Sequence, residues 1–168
     1  STGKVENVLF GDAALLMSAR GGADCLSGGD SYAKGTVENV LIGDGGVLTG
    51  SAQGGADWLV GGNARKGTVI NVMIGDACTL DWNGIAGEDV LIAGSASGRN
   101  SNVQNYMWGD VVFSSEDADD AADRFVFGSG VGTSNFIMDF QFELDTIEFD
   151  LTCLTSFQDI EIRMVDGN

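Results

Sequence analysis

The chain has 168 residues, with 25 acidic against 8 basic side chains and a formal charge of −17 at pH 7. That balance argues against nucleic acid, whose recognition needs a basic footprint, and against anionic membrane surfaces. The lack of histidine removes the commonest general base and the commonest transition-metal ligand.

A 43% hydrophobic share supports one domain's core, and 26 glycines without a proline suggest many tight turns, since glycine takes positive φ without steric cost. No apolar run reaches the length of a membrane span, and no signal peptide is present. Cys25, Cys78 and Cys153 are widely spaced and form no CxxC pair, so zinc and thioredoxin-like chemistry are poorly supported. They are expected as small buried thiols.

Taken in chain order, the residues spell one sentence four times. Its first half reads Val5-Glu6-Asn7-Val8-Leu9-Phe10-Gly11-Asp12 and returns at Val37–Asp44, Val69–Asp76 and Val103–Asp110, about 32 residues apart. Its second half reads Gly22-Ala23-Asp24-Cys25-Leu26-Ser27-Gly28-Gly29. It returns at Gly55–Gly62, at Gly87–Gly94 and, more loosely, at Ala122–Gly128. Such a period signals units that bury their apolar faces only by stacking.

Side chains alternate across a strand, so Val37, Asn39 and Leu41 share one face. The expected fold is all-β: a right-handed parallel β-solenoid, β-roll-like, of about four coils over residues 1–128, with a C-terminal β cap over 129–168 of the same domain. One interior column is expected from Leu9, Leu41, Met73 and Met107, and a facing one from Leu26, Leu59, Leu91 and Phe125. Asn7, Asn39, Asn71 and Asn105 are expected to bond one another along the stack, which satisfies polar groups that stacking buries. Ala13–Met17 and Val47–Thr49 read as a third, looser side of each coil. Ser31 is expected in a turn that tolerates Asp, whereas Leu41→Asp should unfold the stack. The first coil, from Val5, has no cap before it and should present an open strand edge; the chain reads as a piece of something longer.

The second half-repeat resembles the RTX (repeats-in-toxin) nonapeptide G-G-x-G-x-D-x-U-x, whose G-x-D-x-U-x-G-G core is matched at Gly22–Gly29 and Gly55–Gly62. After Asp123, the runs Phe125–Gly130, Phe136–Phe140 and Leu144–Leu151 are similar to the C-terminal segment of serralysin-type and other haemolysin-type proteins. The resemblance implies calcium-binding β-rolls and type I secretion, hence a secreted or cell-surface protein of a Gram-negative bacterium. The chain departs from the family in placing Asn in the first half-repeat, and at Asn135, where the family has Asp. Each such site loses charge.

Asp24, Asp57, Asp89 and Asp123 occupy one position of successive coils and should stack about 4.8 Å apart. Like charges so placed repel, and a Ca²⁺ between them, with its demand for about six to eight hard oxygens, would turn repulsion into attraction. The resemblance adds Asp139 and Asp145, with Asp150, as C-terminal candidates. The competing role is turn capping through the residues' own backbone amides, and that role is expected for Asp12, Asp44, Asp76 and Asp110. Asp117, Asp119 and Asp120 read as a solvated charge run.

Val8, Phe10, Val40, Ile42, Val72, Ile74, Tyr106 and Trp108 fall on the outward side of their strands, where polar residues belong. Such a patch should meet the chain's own tail, another protein or a second copy. The expected function is a non-catalytic, calcium-binding module working in structure or assembly. The alternatives are a secretion, folding or carbohydrate-binding module of a secreted protease or alginate epimerase, and a polysaccharide-acting enzyme in its own right.

Overall fold

The computed structural model describes residues 3–115, 120–130 and 133–150, with 156, 160, 161 and 163; Asp117, Asp119 and Cys153 fall outside them. Strands follow one another with no helix among the described residues. The first coil holds β1 (Gly3–Phe10), β2 (Ala13–Met17) and β3 (Cys25–Ser27). The second holds β4 (Gly35–Ile42), β5 (Gly45–Thr49) and β6 (Trp58–Val60). The third holds β7 (Gly67–Ile74), β8 (Ala77–Leu80) and β9 (Val90–Ile92). The fourth holds β10 (Ser101–Trp108), β11 (Val111–Ser114) and β12 (Arg124–Gly128). Then come β13 (Thr133–Ile137) and β14 (Thr146–Asp150).

Each strand pairs in parallel with its counterpart one coil on, so the sheets run β1-β4-β7-β10-β13, β2-β5-β8-β11 and β3-β6-β9-β12-β14. The result is a β-solenoid of about four turns. Pairing is in register with the repeat: Asn7 faces Asn39, which faces Asn71, and Leu9 faces Leu41, which faces Met73. Stretches expected to be loose, such as Ala13–Met17, form the second sheet.

Three apolar compartments lie side by side in the cross-section of a coil. The central one contains Leu41, Met73 and Met107 facing Leu26, Leu59, Leu91 and Phe125, as the two columns required, with Leu9 packed against them. A lobe on one flank encloses Leu16, Leu48, Leu80 and Val111. A smaller compartment on the other flank encloses Val69, Val103, Ala64 and Ala96. Burying one such side chain stabilises by about 1.5–3 kcal/mol. Polar columns divide the compartments. Along β7 the inward positions read Val69, Asn71 and Met73, so asparagine separates the small compartment from the central one. Asp44, Asp76 and Asp110 follow the strands and separate the centre from the lobe.

Three expectations are corrected. Ser31 is buried, because the corner between the third and first sheets is itself stacked: Ser31 bridges Ala64. Its hydroxyl donates to the carbonyl oxygens of Lys66 at 2.8 Å and Ala33 at 3.2 Å. The outward apolar patch is not continuous either. Val8 and Phe10 are exposed, whereas Ile42 and Ile74 are only 3% exposed. Finally, Cys25 points outward from β3 and is exposed, and Cys78 is half-buried.

Candidate functional site

The asparagine column is hydrogen-bonded on every side. Asn7 Nδ2 donates to Asn39 Oδ1 at 2.9 Å, Asn39 to Asn71 at 2.9 Å, Asn71 to Asn105 at 2.7 Å and Asn105 to Asn135 at 2.7 Å. The three interior amides also grip the glycine pair that ends the facing strand. Asn71 Nδ2 donates to Gly62 O at 3.0 Å, and Gly62 N–H donates to Asn71 Oδ1 at 2.9 Å. Asn39 and Asn105 do the same with Gly29 and Gly94. An amide suits this place because it both donates and accepts.

Across the central core lies a column built from Asp24, Asp57, Asp89, Asp123 and Asp145. The backbone N–H of each donates to the Oδ1 of the next: Asp24 to Asp57 at 2.7 Å, Asp57 to Asp89 at 2.7 Å, Asp89 to Asp123 at 2.8 Å and Asp123 to Asp145 at 3.0 Å. The second oxygen is stranded. Oδ2 of Asp24, Asp57, Asp89 and Asp123 is buried with no hydrogen-bond partner. It rests against the glycine that ends the first-sheet strand. A Cβ on Gly75 would overlap both Asp89 Oδ2 and the Gly109 carbonyl oxygen, and one on Gly43 would overlap Asp57 Oδ2 and the Gly75 carbonyl oxygen. Only a Cα–H faces these oxygens, and that is a weak donor. Glycine is required here to leave room for two oxygens.

A parallel column stands beside it. Asp12, Asp44, Asp76 and Asp110 accept N–H groups from across the neck of the lobe: Gly22 at 2.6 Å, Gly55 at 3.0 Å, Gly87 at 2.8 Å and Ala121 at 3.0 Å. They are not capping their own turns, because the coil closes on itself here and places the returning strand within reach. Asp44 and Asp76 are fully buried, and Asp76 Oδ2 has no partner. The sequence reading named these four residues and gave them turn capping; what it missed is the N–H that each accepts from about ten residues on. The column's own signal was present: an Asp after glycine at the repeat's period.

Removing carboxylates from water disfavours their charged form. Burial, with the charges of neighbouring aspartates added, raises Asp57 to about 7, Asp123 to about 8 and Asp89 to about 10. Asp44 rises to about 6 and Asp110 to about 7, and Asp76 is pushed well above the usual carboxylate range, for the same reasons. Asp139 rises to about 6, its burial partly offset by the N–H groups of Gly109 at 2.9 Å and Asp110 at 3.2 Å.

The candidate ligands Asp24, Asp57, Asp89, Asp123 and Asp145 therefore fall in one column, and Asp139 sits at the end of its neighbour. Asp150 ends β14, is exposed, and pairs with Gly128. The donor set fits calcium in kind, being carboxylate and glycine carbonyl oxygen with no soft ligand. It is not a finished cage: among the described residues, no group of three or more Asp, Glu or Cys side chains gathers around one ion position. No helix among the described residues is long and apolar enough to cross a membrane. No family model, curated protein or solved structure matches the chain.

Proposed function

We propose that this chain is a non-catalytic structural module whose aspartate columns take up calcium, rigidifying a secreted or surface-displayed solenoid. One observation carries the reading: a buried carboxylate oxygen without a partner recurs, coil after coil, at Asp24, Asp57, Asp89 and Asp123. A buried unpaired charge is costly, and repetition at the period of the fold makes it a designed property of the coil. Cations and protons are the two ways to neutralise such a column. The overall charge of −17 favours cations at neutral pH. Asp24, Asp57, Asp89 and Asp123 would supply the charge, and the carbonyl oxygens of Gly43, Gly75 and Gly109 lie beside the first three of these carboxylates. The bound ion would supply charge neutralisation and a cross-link between coils. A role in assembly, or as a module of a secreted enzyme, follows the same logic of a stiff stack.

A ligand that binds only the folded form stabilises it by mass action. At pH 7.5, melting in millimolar calcium should exceed melting in chelator by several degrees, with magnesium far less effective. Superimposable melts, together with no calcium retained on dialysis, would sink the reading and leave protons as the neutralising species.

A further inference from the structure

At the tip of its lobe each of the first three coils turns through one left-handed residue: Ser18 at φ 50°, Gly50 at 71° and Asn83 at 57°. Glycine takes that conformation freely, and asparagine is among the few other residues that tolerate it. In the third coil the next position must also be small. A Cβ on Gly84 would overlap the side chain of Leu80, which is 0% exposed in the core of the lobe. Turn and packing together explain why Asn83 is followed by Gly84. The pair is chemically labile, because a glycine nitrogen has no neighbouring side chain to hinder its attack on the asparagine amide.

The asparagines differ in how firmly they are held. The amides of Asn39, Asn71 and Asn105 are bonded on several sides inside the stack. Asn63 is exposed, but Asp30 and Ser95 hold its side chain. Asn83 is exposed, and its side-chain amide makes no hydrogen bond among the described residues. The N–H of Gly84 donates to Asp81 O at 3.0 Å. One turn bond therefore separates the folded lobe from a reactive arrangement, and exposed loop tips open locally without global unfolding.

We propose that Asn83 is a site of spontaneous modification, converting to isoaspartate in the folded chain with loss of ammonia. The Gly84 nitrogen gives its proton to solvent and bonds to Asn83 Cγ. The side-chain nitrogen takes up a proton and leaves as ammonia, which closes a succinimide ring. Water then adds to either ring carbonyl carbon and breaks its bond to the Gly84 nitrogen. Opening at the main-chain carbonyl leaves isoaspartate, and opening at the side-chain carbonyl leaves aspartate. Water is the only co-reactant.

The consequence falls on the lobe. Asp81 N–H donates to Leu48 O at 2.8 Å and Ile85 N–H to Ala52 O at 3.0 Å, so both ends of the turn are pinned to the preceding coil. Isoaspartate routes the main chain through its own methylene, which adds a backbone atom between these pins and leaves a carboxylate near Asp81. Gly84 then loses its seat on Leu80. The inference is independent of calcium.

The test ages the full chain, folded, at mildly alkaline pH, which favours the deprotonated nitrogen. Samples are digested at low pH, mapped by mass spectrometry with isoaspartate detection, and melted in parallel. The Asn83 peptide should convert about tenfold faster than the Asn63 peptide, with isoaspartate exceeding aspartate. The melting temperature should fall by several degrees as conversion proceeds. Asn83→Gly keeps a residue suited to the left-handed turn, as Gly50 shows, and should lose no melting temperature with age. Asn83 converting no faster than Asn63 overturns the site. Conversion with an unchanged melting temperature, or an equal loss in aged Asn83→Gly, overturns the link to the lobe.

Discussion

Two polar columns flank the same apolar core, and they solve burial in opposite ways. The asparagine column is neutral, and each interior amide exchanges bonds with two neighbours and with a facing glycine. The aspartate column spends one oxygen on the neighbouring coil's N–H and leaves the other without a donor. Both repeat with the coil, and both are walled by glycine. What differs is one atom per residue, NH₂ against O⁻. A neutral column is complete as folded, whereas an anionic column must draw in protons or cations to be complete.

The largest effects should come from the glycine walls, where the columns ought to behave alike. A Cβ on Gly75 would overlap the Gly109 carbonyl oxygen and Asp89 Oδ2, and one on Gly62 would overlap the Gly29 carbonyl oxygen and Asn39 Nδ2. Backbone oxygens cannot swing away, so Gly75→Ala and Gly62→Ala should each cost about 4 kcal/mol or more in urea unfolding. Gly128→Ala, with nothing near its Cβ, should change stability by no more than about 0.5 kcal/mol. Tolerance at Gly62 alone would show that the asparagine wall yields and that the two columns are not built alike.

Asn71→Ala comes next. It strands the donors and acceptors of Asn39, Gly62 and Asn105 in a fully buried place. The expected loss is about 3–5 kcal/mol, the same in calcium and in chelator, measured by chemical denaturation. A calcium-dependent loss would mean that the two columns are coupled.

The smallest effect is the sharpest, because its sign depends on conditions. Asp44, Asp57, Asp110, Asp123 and Asp139 have folded values of about 6 to 8, above their ordinary 3.8. The folded chain then holds protons that the unfolded chain has released, so stability falls as pH rises. That loss should accrue from about pH 4 through pH 8 in chelator and be largely suppressed by calcium. Asp89→Asn keeps an Oδ1 for Asp57 N–H and puts a donor beside the Gly109 carbonyl oxygen. In chelator at pH 8 it should stabilise by about 1–3 kcal/mol and flatten the pH dependence. In calcium the gain should shrink or reverse. A destabilising Asp89→Asn in chelator would refute the unsatisfied-oxygen account.

The coil, its register and the asparagine ladder were legible in the sequence because a repeat stacks like on like: once Leu41 sits above Leu9, Asn39 must sit above Asn7. The aspartate column at Asp24 was legible for the same reason. What was not legible was closure within a coil. Asp44 and Gly55 are 11 positions apart, and only the return of the chain around the lobe brings the Gly55 N–H onto that carboxylate. Ser31 was misjudged on a different ground: its corner stacks from coil to coil as the strands do, and that stacking buries it. Periodicity reports contacts between coils and is silent about contacts across one.

The regular step has a mechanical consequence. Pulled from its first residue, the stack can yield only at the outermost coil, because each inner coil is pinned on both sides. Successive coils hold nearly equal lengths of chain, as the 32-residue offsets between Asn7 and Asn39 and between Asn39 and Asn71 show. Each rupture should therefore release a similar length, about 110 Å at an extended reach of about 3.3–3.6 Å per residue. Under tension the molecule should behave as a ratcheted tape with evenly spaced stops, and the charge left on its aspartate column should set how hard each stop resists.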